Sequence, residues 1–136
     1  MTPRVFVDAH IFLRLFTVDD QGQSERAAVL FRRAAAGELS LFSGPPVLFE
    51  VAWVLRRGYH VPRGKVLATL AAVLAAPGVE VSDAALVRSA VERAQASGAE
   101  FADAYIAAAI TAHACDAVAT FNARDFRKLG VSLMAF

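Results

Sequence analysis

A chain of 136 residues, 57% hydrophobic and with 14 Lys plus Arg against 13 Asp plus Glu, fits one globular domain and excludes long disordered stretches. Its net charge of +1 argues neither for nor against a nucleic-acid partner. The single cysteine, Cys115, excludes an internal disulfide and a multi-cysteine zinc site. The longest uncharged runs, Val66 to Val79 and Ala104 to Cys115, fall short of the roughly 18–20 residues that cross a bilayer. Arg4 and Asp8 flank the first apolar run, unlike a signal peptide. The expectation is one soluble, cytoplasmic domain over 1–136, with no membrane partner. Its apolar excess points to an oligomer or an obligate protein partner.

In chain order, Arg4 to Val7 is a short strand ending at Asp8, and Ile11 to Phe16 a short apolar helix. Ser24 to Ala36 is a clearer helix, with Ala27, Leu30, Phe31 and Ala34 at helical spacing and Gly37 as its stop. Leu39 to Ser43 reads as the second strand. Gly44-Pro45-Pro46 then opens a helix to about Arg57, with proline well placed in the first turn because its missing N–H has no partner there. Pro62 to Ala76 is helical up to Pro77-Gly78, and Val79 to Val81 is a third strand. Ser82 or Asp83 caps a helix to Ser97-Gly98, and Phe101 to Ala114 is an alanine-rich helix. Ala117 to Phe121 and Val131 to Met134 complete five strands. Such alternation predicts an α/β fold with a parallel sheet and helices on both faces. Sites in these sheets lie at the carboxyl ends of strands.

Four acids stand out against that frame. Asp8 directly follows strand one and fits a helix cap and a site residue equally well. Glu50 is the only polar residue in Pro46 to Leu55. A helix apolar all round is buried, so Glu50 is expected to be buried, either paired with Arg14 or Arg56 or there for chemistry. Asp103 sits among core residues in Phe101 to Ile110, three after Glu100. Acids in a first turn gain about 0.3–1 kcal/mol from the helix dipole, which accounts for Glu100 and only partly for Asp103. Asp125 follows strand four, where acids are commonly just solvated. The four are expected to converge at one end of the sheet. Two unit charges about 4 Å apart repel by about 4 kcal/mol at an effective dielectric near 20, so a cluster would stay partly protonated or recruit a divalent cation. Oxygen ligands of this kind suit Mg²⁺ or Mn²⁺ and not zinc.

The segments Val5-Phe-Val-Asp-Ala-His-Ile-Phe-Leu-Arg-Leu-Phe16, Pro46-Val-Leu-Phe-Glu-Val-Ala-Trp-Val-Leu55, Glu100-Phe-Ala-Asp-Ala-Tyr-Ile106 and Ala119-Thr-Phe-Asn-Ala-Arg-Asp-Phe126 resemble PIN-domain ribonucleases, specifically the VapC toxins of bacterial toxin–antitoxin pairs. The likeness covers essentially the whole chain. It implies a PIN-like doubly wound parallel sheet of about five strands and a Mg²⁺-dependent endoribonuclease that cleaves RNA with metal-activated water. Asp8, Glu50 and Asp103 match the family's three main acids, and Asp125 matches a more variable fourth. Glu100 matches a position that supports a second metal, and Thr120 and Asn122 match positions that arrange water and metal. Such toxins are typically dimers, each held inactive by a small antitoxin, and operator DNA is bound through the antitoxin. His10 departs from the Asn or Ser usual in relatives. It fits a donor to Asp8, a phosphate contact, or a partly buried helix histidine.

Arg14, Arg56, Arg57, Arg124, Arg127 and Lys128 flank the acidic motifs and are candidate RNA-backbone contacts, although any single one reads equally as a solvated surface residue. Two other classes fit less well. A receiver-like phospho-signalling domain would want adjacent acids after strand one and a lysine after strand five, and neither is present. A P-loop fails because five residues separate Gly58 from Gly64 and Val66 replaces the Ser or Thr. A catalytically inactive PIN-like interaction module is the remaining alternative, and retention of all four acids weighs against it.

Overall fold

Strand formers cluster in three short segments, and these pair in the computed structural model, which describes residues 2–136. The strands β1 (Arg4–Phe6), β2 (Ser40–Ser43) and β3 (Val79–Val81) form one parallel sheet in the order β1-β2-β3. Val5 lies opposite Leu41, and Leu41 opposite Val79. The chain divides into two compact units, residues up to Ala84 and residues from Ala85 onward, and the sheet belongs to the first.

In the first unit, β1 leads through α1 (Ala9–Phe16) and α2 (Gln21–Ala35) to β2. Helix α2 starts three residues earlier than its apolar periodicity suggests. Asp20 caps it, accepting a 2.9 Å hydrogen bond from the Gln23 amide. From β2 the chain enters α3 (Pro45–Trp53), where proline occupies the first turn. A π-helical turn (Val54–Gly58) and α4 (Arg63–Ala75) then lead to β3. Gly78 has φ +76 and lies against the Ala34 carbonyl, where a Cβ would clash, so only glycine lets β3 begin this close to the end of α2. The core contains Phe12, Leu13, Leu41, Leu48, Val51, Leu67 and Leu70. Phe12 packs against Phe31 with ring centroids 5.6 Å apart.

The second unit holds most of α5 (Ala84–Ser97), with α6 (Phe101–Ala112) and α7 (Ala123–Lys128), giving seven α-helices among the described residues. Its buried positions are largely alanine: Ala90, Ala94, Ala99, Ala104, Ala107 and Ala108. Arg93 ties α5 to α6 by donating to the Thr111 hydroxyl at 3.1 Å.

Two expectations are corrected. The sheet has three strands among the described residues, not five. In place of the fourth and fifth strands there is one parallel bridge, Val118 to Leu133. Ala117 to Phe121 contains two alanines, which are weak strand formers, and Phe121 is exposed, so no buried face rewards a longer ladder. The strands also succeed one another in a single direction, so this sheet contains no reversal of strand order. On the sheet, Arg4, Phe6 and Glu80 are exposed, and the Arg4 guanidinium lies 4.4 Å from the Phe42 ring centroid while pairing with Glu80 at 3.1 Å. Phe6 is 60% exposed. Among the described residues no helix is long and apolar enough to cross a membrane.

Candidate active site

The carboxyl edge of the sheet places the first acid. Val7 continues β1 by donating its amide to the Phe42 carbonyl at 2.8 Å. Ser43, fully buried at the end of β2, donates its hydroxyl to the Val7 carbonyl at 3.0 Å. This bond holds the backbone just before Asp8. Sequence reasoning passed over Ser43, whose only signal was a small polar residue closing an apolar strand. A Cβ on the neighbouring Gly44 would approach the Ser82 hydroxyl to 2.6 Å, so a larger residue there would force the Ser82 side chain to move.

Asp8 takes the N-cap position of α1, yet its carboxylate makes no capping hydrogen bond. The cap therefore does not account for an acid here. Its Oδ2 lies 3.6 Å from Nδ1 of His10, too long for a direct hydrogen bond but within ion-pair reach when His10 is protonated. His10 is exposed, which removes the partly buried reading. Arg14, expected as an RNA contact, is half-buried. Its Nε donates to Gln23 at 2.7 Å and its Nη1 reaches the Tyr59 hydroxyl at 3.5 Å. Tyr59 in turn donates to Asp19. Arg14 thus joins a network between α1, α2 and the segment after the π turn.

Glu50 corrects a second expectation. It is exposed, together with Pro46 and Trp53 on the outer side of α3, while Leu48, Val51 and Ala52 face the core. Uniform apolarity suggested burial on all sides, but α3 leaves one side open. In the π turn, Arg57 is exposed and Arg56 half-buried.

The second unit gathers three acids. Asp103 lies in the first turn of α6 and is half-buried. Its carboxyl is held above the ordinary value, first by burial, then by the charge of Asp125 and then by that of Glu100. Glu100 is the N-cap of α6 rather than a residue inside it, and its side chain makes no cap bond. Asp125, expected in a loop, lies in the first turn of α7. There Asn122 donates its side-chain amide to Asp125 at 2.8 Å, and the Asn122 backbone amide donates to the Thr120 hydroxyl at 2.9 Å. Thr120 and Asn122 therefore fix the orientation of Asp125. Arg124, Arg127 and Lys128 are exposed on α7.

Among the described residues, no three of His, Cys, Asp and Glu form a group that could hold a metal ion. The donor chemistry does fit a hard divalent cation, since every candidate ligand is a carboxylate and Asp103 carries unfavourable charge that a cation would offset.

A family model of the PIN domain matches residues 5–131. PIN domains are generally nucleases and typically use divalent metals. No curated protein matches the chain. The matched span runs from β1 past α7 and takes in Asp8, Glu50, Asp103 and Asp125, so the chain belongs to the PIN-domain family.

Proposed function

We propose that this protein is a metal-dependent endoribonuclease of the VapC toxin type, with Asp8, Glu50, Asp103 and Asp125 as its metal-holding and catalytic acids. The observation that carries the reading is the setting of Asp103: a half-buried carboxyl crowded by Asp125 and Glu100, within a chain of the PIN family. An acid kept at such a position against its own electrostatics has a use for a cation. Glu100 would support a second metal. Bound Mg²⁺ or Mn²⁺ would polarise a phosphoryl oxygen and lower the pKa of the attacking water. Asn122, with Thr120 behind it, orients the Asp125 carboxylate, and Ser43 steadies the strand end ahead of Asp8. Arg14, Arg124 and Arg127 supply backbone contacts to RNA.

The toxin reading also needs protein partners. Among the large apolar side chains of the first unit, Phe12 is fully buried and belongs to the core, whereas Phe16 and Trp53 are exposed. Between α1 and α2 lies a groove of about 780 Å³ lined by Ile11, Val29 and Leu30 with His10, Arg26 and Arg33. It suits an amphipathic segment of a small antitoxin, through which operator DNA would be bound, and the exposed Phe16 suits a homodimer. Purified protein should cut RNA with Mg²⁺ or Mn²⁺ and stop with EDTA. Cutting that persists undiminished in Asp103→Asn, from a preparation free of other nucleases, refutes the assignment. Production of the chain should arrest growth of its host, and the small protein encoded beside it should restore growth.

A further inference from the structure

Trp53 is the chain's one tryptophan and closes α3 with 66% of its surface exposed. A large indole in water forgoes the burial that aromatic rings normally gain, so its position calls for a use. Glu50 lies three residues before it and Arg57 four residues after, both exposed. Residues at these spacings share a helical face, and Pro46 extends the same row to the start of α3. The row thus carries an acid, a flat aromatic ring and a guanidinium in succession. The chain leaves its α-helical path immediately after Trp53, in a π turn that contains Arg57, and such turns recur at functional sites.

A protein interface built on this indole would want apolar neighbours, since hot-spot tryptophans sit in desolvated pockets. Here the exposed residues one turn before and after it, Glu50 and Arg57, are charged and of opposite sign. Single-stranded nucleic acid has the matching pattern: a base with a π-face, joined to a phosphate that takes a cation. Resting on the ribonuclease reading above, we propose that Trp53 is the stacking platform for one base of a single-stranded RNA substrate. Arg57 contacts the adjoining phosphate, and the pair position the strand beside Glu50.

Emission excited at the red edge, where the two tyrosines do not absorb, reports on Trp53 alone, which makes the test direct. In EDTA, where cutting is stopped, a short unstructured oligoribonucleotide should quench that emission to saturation. Heparin, a polyanion without bases, should leave it unchanged. With a labelled oligoribonucleotide, Trp53→Ala should bind between about fivefold and about a hundredfold more weakly, while Trp53→Phe, which can still stack, should keep most of the affinity. Equal affinity of the wild type and Trp53→Ala, in a protein that still cuts RNA with Mg²⁺, overturns the platform and leaves the ribonuclease reading standing. A wild type that neither cuts RNA nor shows quenching overturns both. Blue-shifted emission that the oligoribonucleotide does not change, with Trp53→Ala breaking a dimer, places the indole in a protein interface and also overturns the proposal.

Discussion

The two units carry the same kind of candidate residue in contrasting surroundings. Up to Ala84, the acids Asp8 and Glu50 face solvent, and His10 Nδ1 lies 3.6 Å from Asp8 Oδ2. From Ala85 onward, Asp103 is half-buried and pressed by Asp125 from α7 and by Glu100 at the head of its own helix. The cores differ as well. The first is filled by Phe12 and large aliphatic side chains, the second mainly by alanines with Phe101 and Phe126. Exposure lets water screen a charge, whereas partial burial beside like charges makes each carboxylate a cost to its neighbours. A core of bulky side chains is damaged by truncation, and one of alanines by enlargement.

Activity should break this contrast first, because both units are proposed to serve one reaction. Asp8→Asn, Glu50→Gln and Asp103→Asn should each slow single-turnover RNA cleavage by about a hundredfold or more, since charge stabilisation by a bound metal is worth several kcal/mol. Asp125→Asn should cost less. Losses confined to the acids of one unit would restrict the catalytic machinery to that unit. Urea unfolding then sharpens the difference between the cores. Phe12→Ala removes a fully buried ring and should cost about 3–5 kcal/mol. Truncation has little to remove at Ala107, also fully buried, and there Ala107→Leu should cost about 1–3 kcal/mol by overpacking. Tolerance of leucine at Ala107 would mean that the second core is loosely packed.

The smallest effect concerns the crowded acid itself. The folded-state pKa of Asp103 is raised above the ordinary 3.8, so ionisation disfavours the fold. That penalty is fully present above the folded pKa and disappears as pH falls below the unfolded value. Asp103→Asn should therefore raise the melting temperature of the metal-free protein at neutral pH, with the gain shrinking to nothing as the pH drops through the carboxylate range. Glu50→Gln, on an open surface, should change stability by no more than about 0.5 kcal/mol at neutral pH. Melting curves in EDTA across that range check both. A gain for Asp103→Asn that persisted in acid would point to packing and not charge.

Much of the first unit was legible in the sequence because its signals are local. Proline after Gly44, the apolar run of β1 and the glycines at 37 and 78 act within a few residues, and the elements follow them closely. The site was legible in part. Asp103 stood out as an acid among apolar residues, and it is partly buried as that pattern implies. Glu50 stood out for the same reason and is exposed. A run of apolar residues cannot say which side of a helix meets a neighbour, and α3 has a partner only on the side of Leu48, Val51 and Ala52. Ser43 and the Arg14–Tyr59–Asp19 network escaped notice because their partners lie 36 to 45 positions apart for Ser43–Val7, Arg14–Tyr59 and Tyr59–Asp19.

By itself the sequence determined the α/β class, the parallel pairing of the first three strands and the PIN family. These depend on side-chain periodicity, turn chemistry and residue type, all of which are written along the chain. Tertiary structure decided how many strands form, that Glu50 and Trp53 stand in solvent, and that Asp103 feels the charge of Asp125. Exposure and electrostatic crowding belong to no residue alone: each is set by what the folded chain brings within a few ångströms, and charge loses its influence quickly once water comes between.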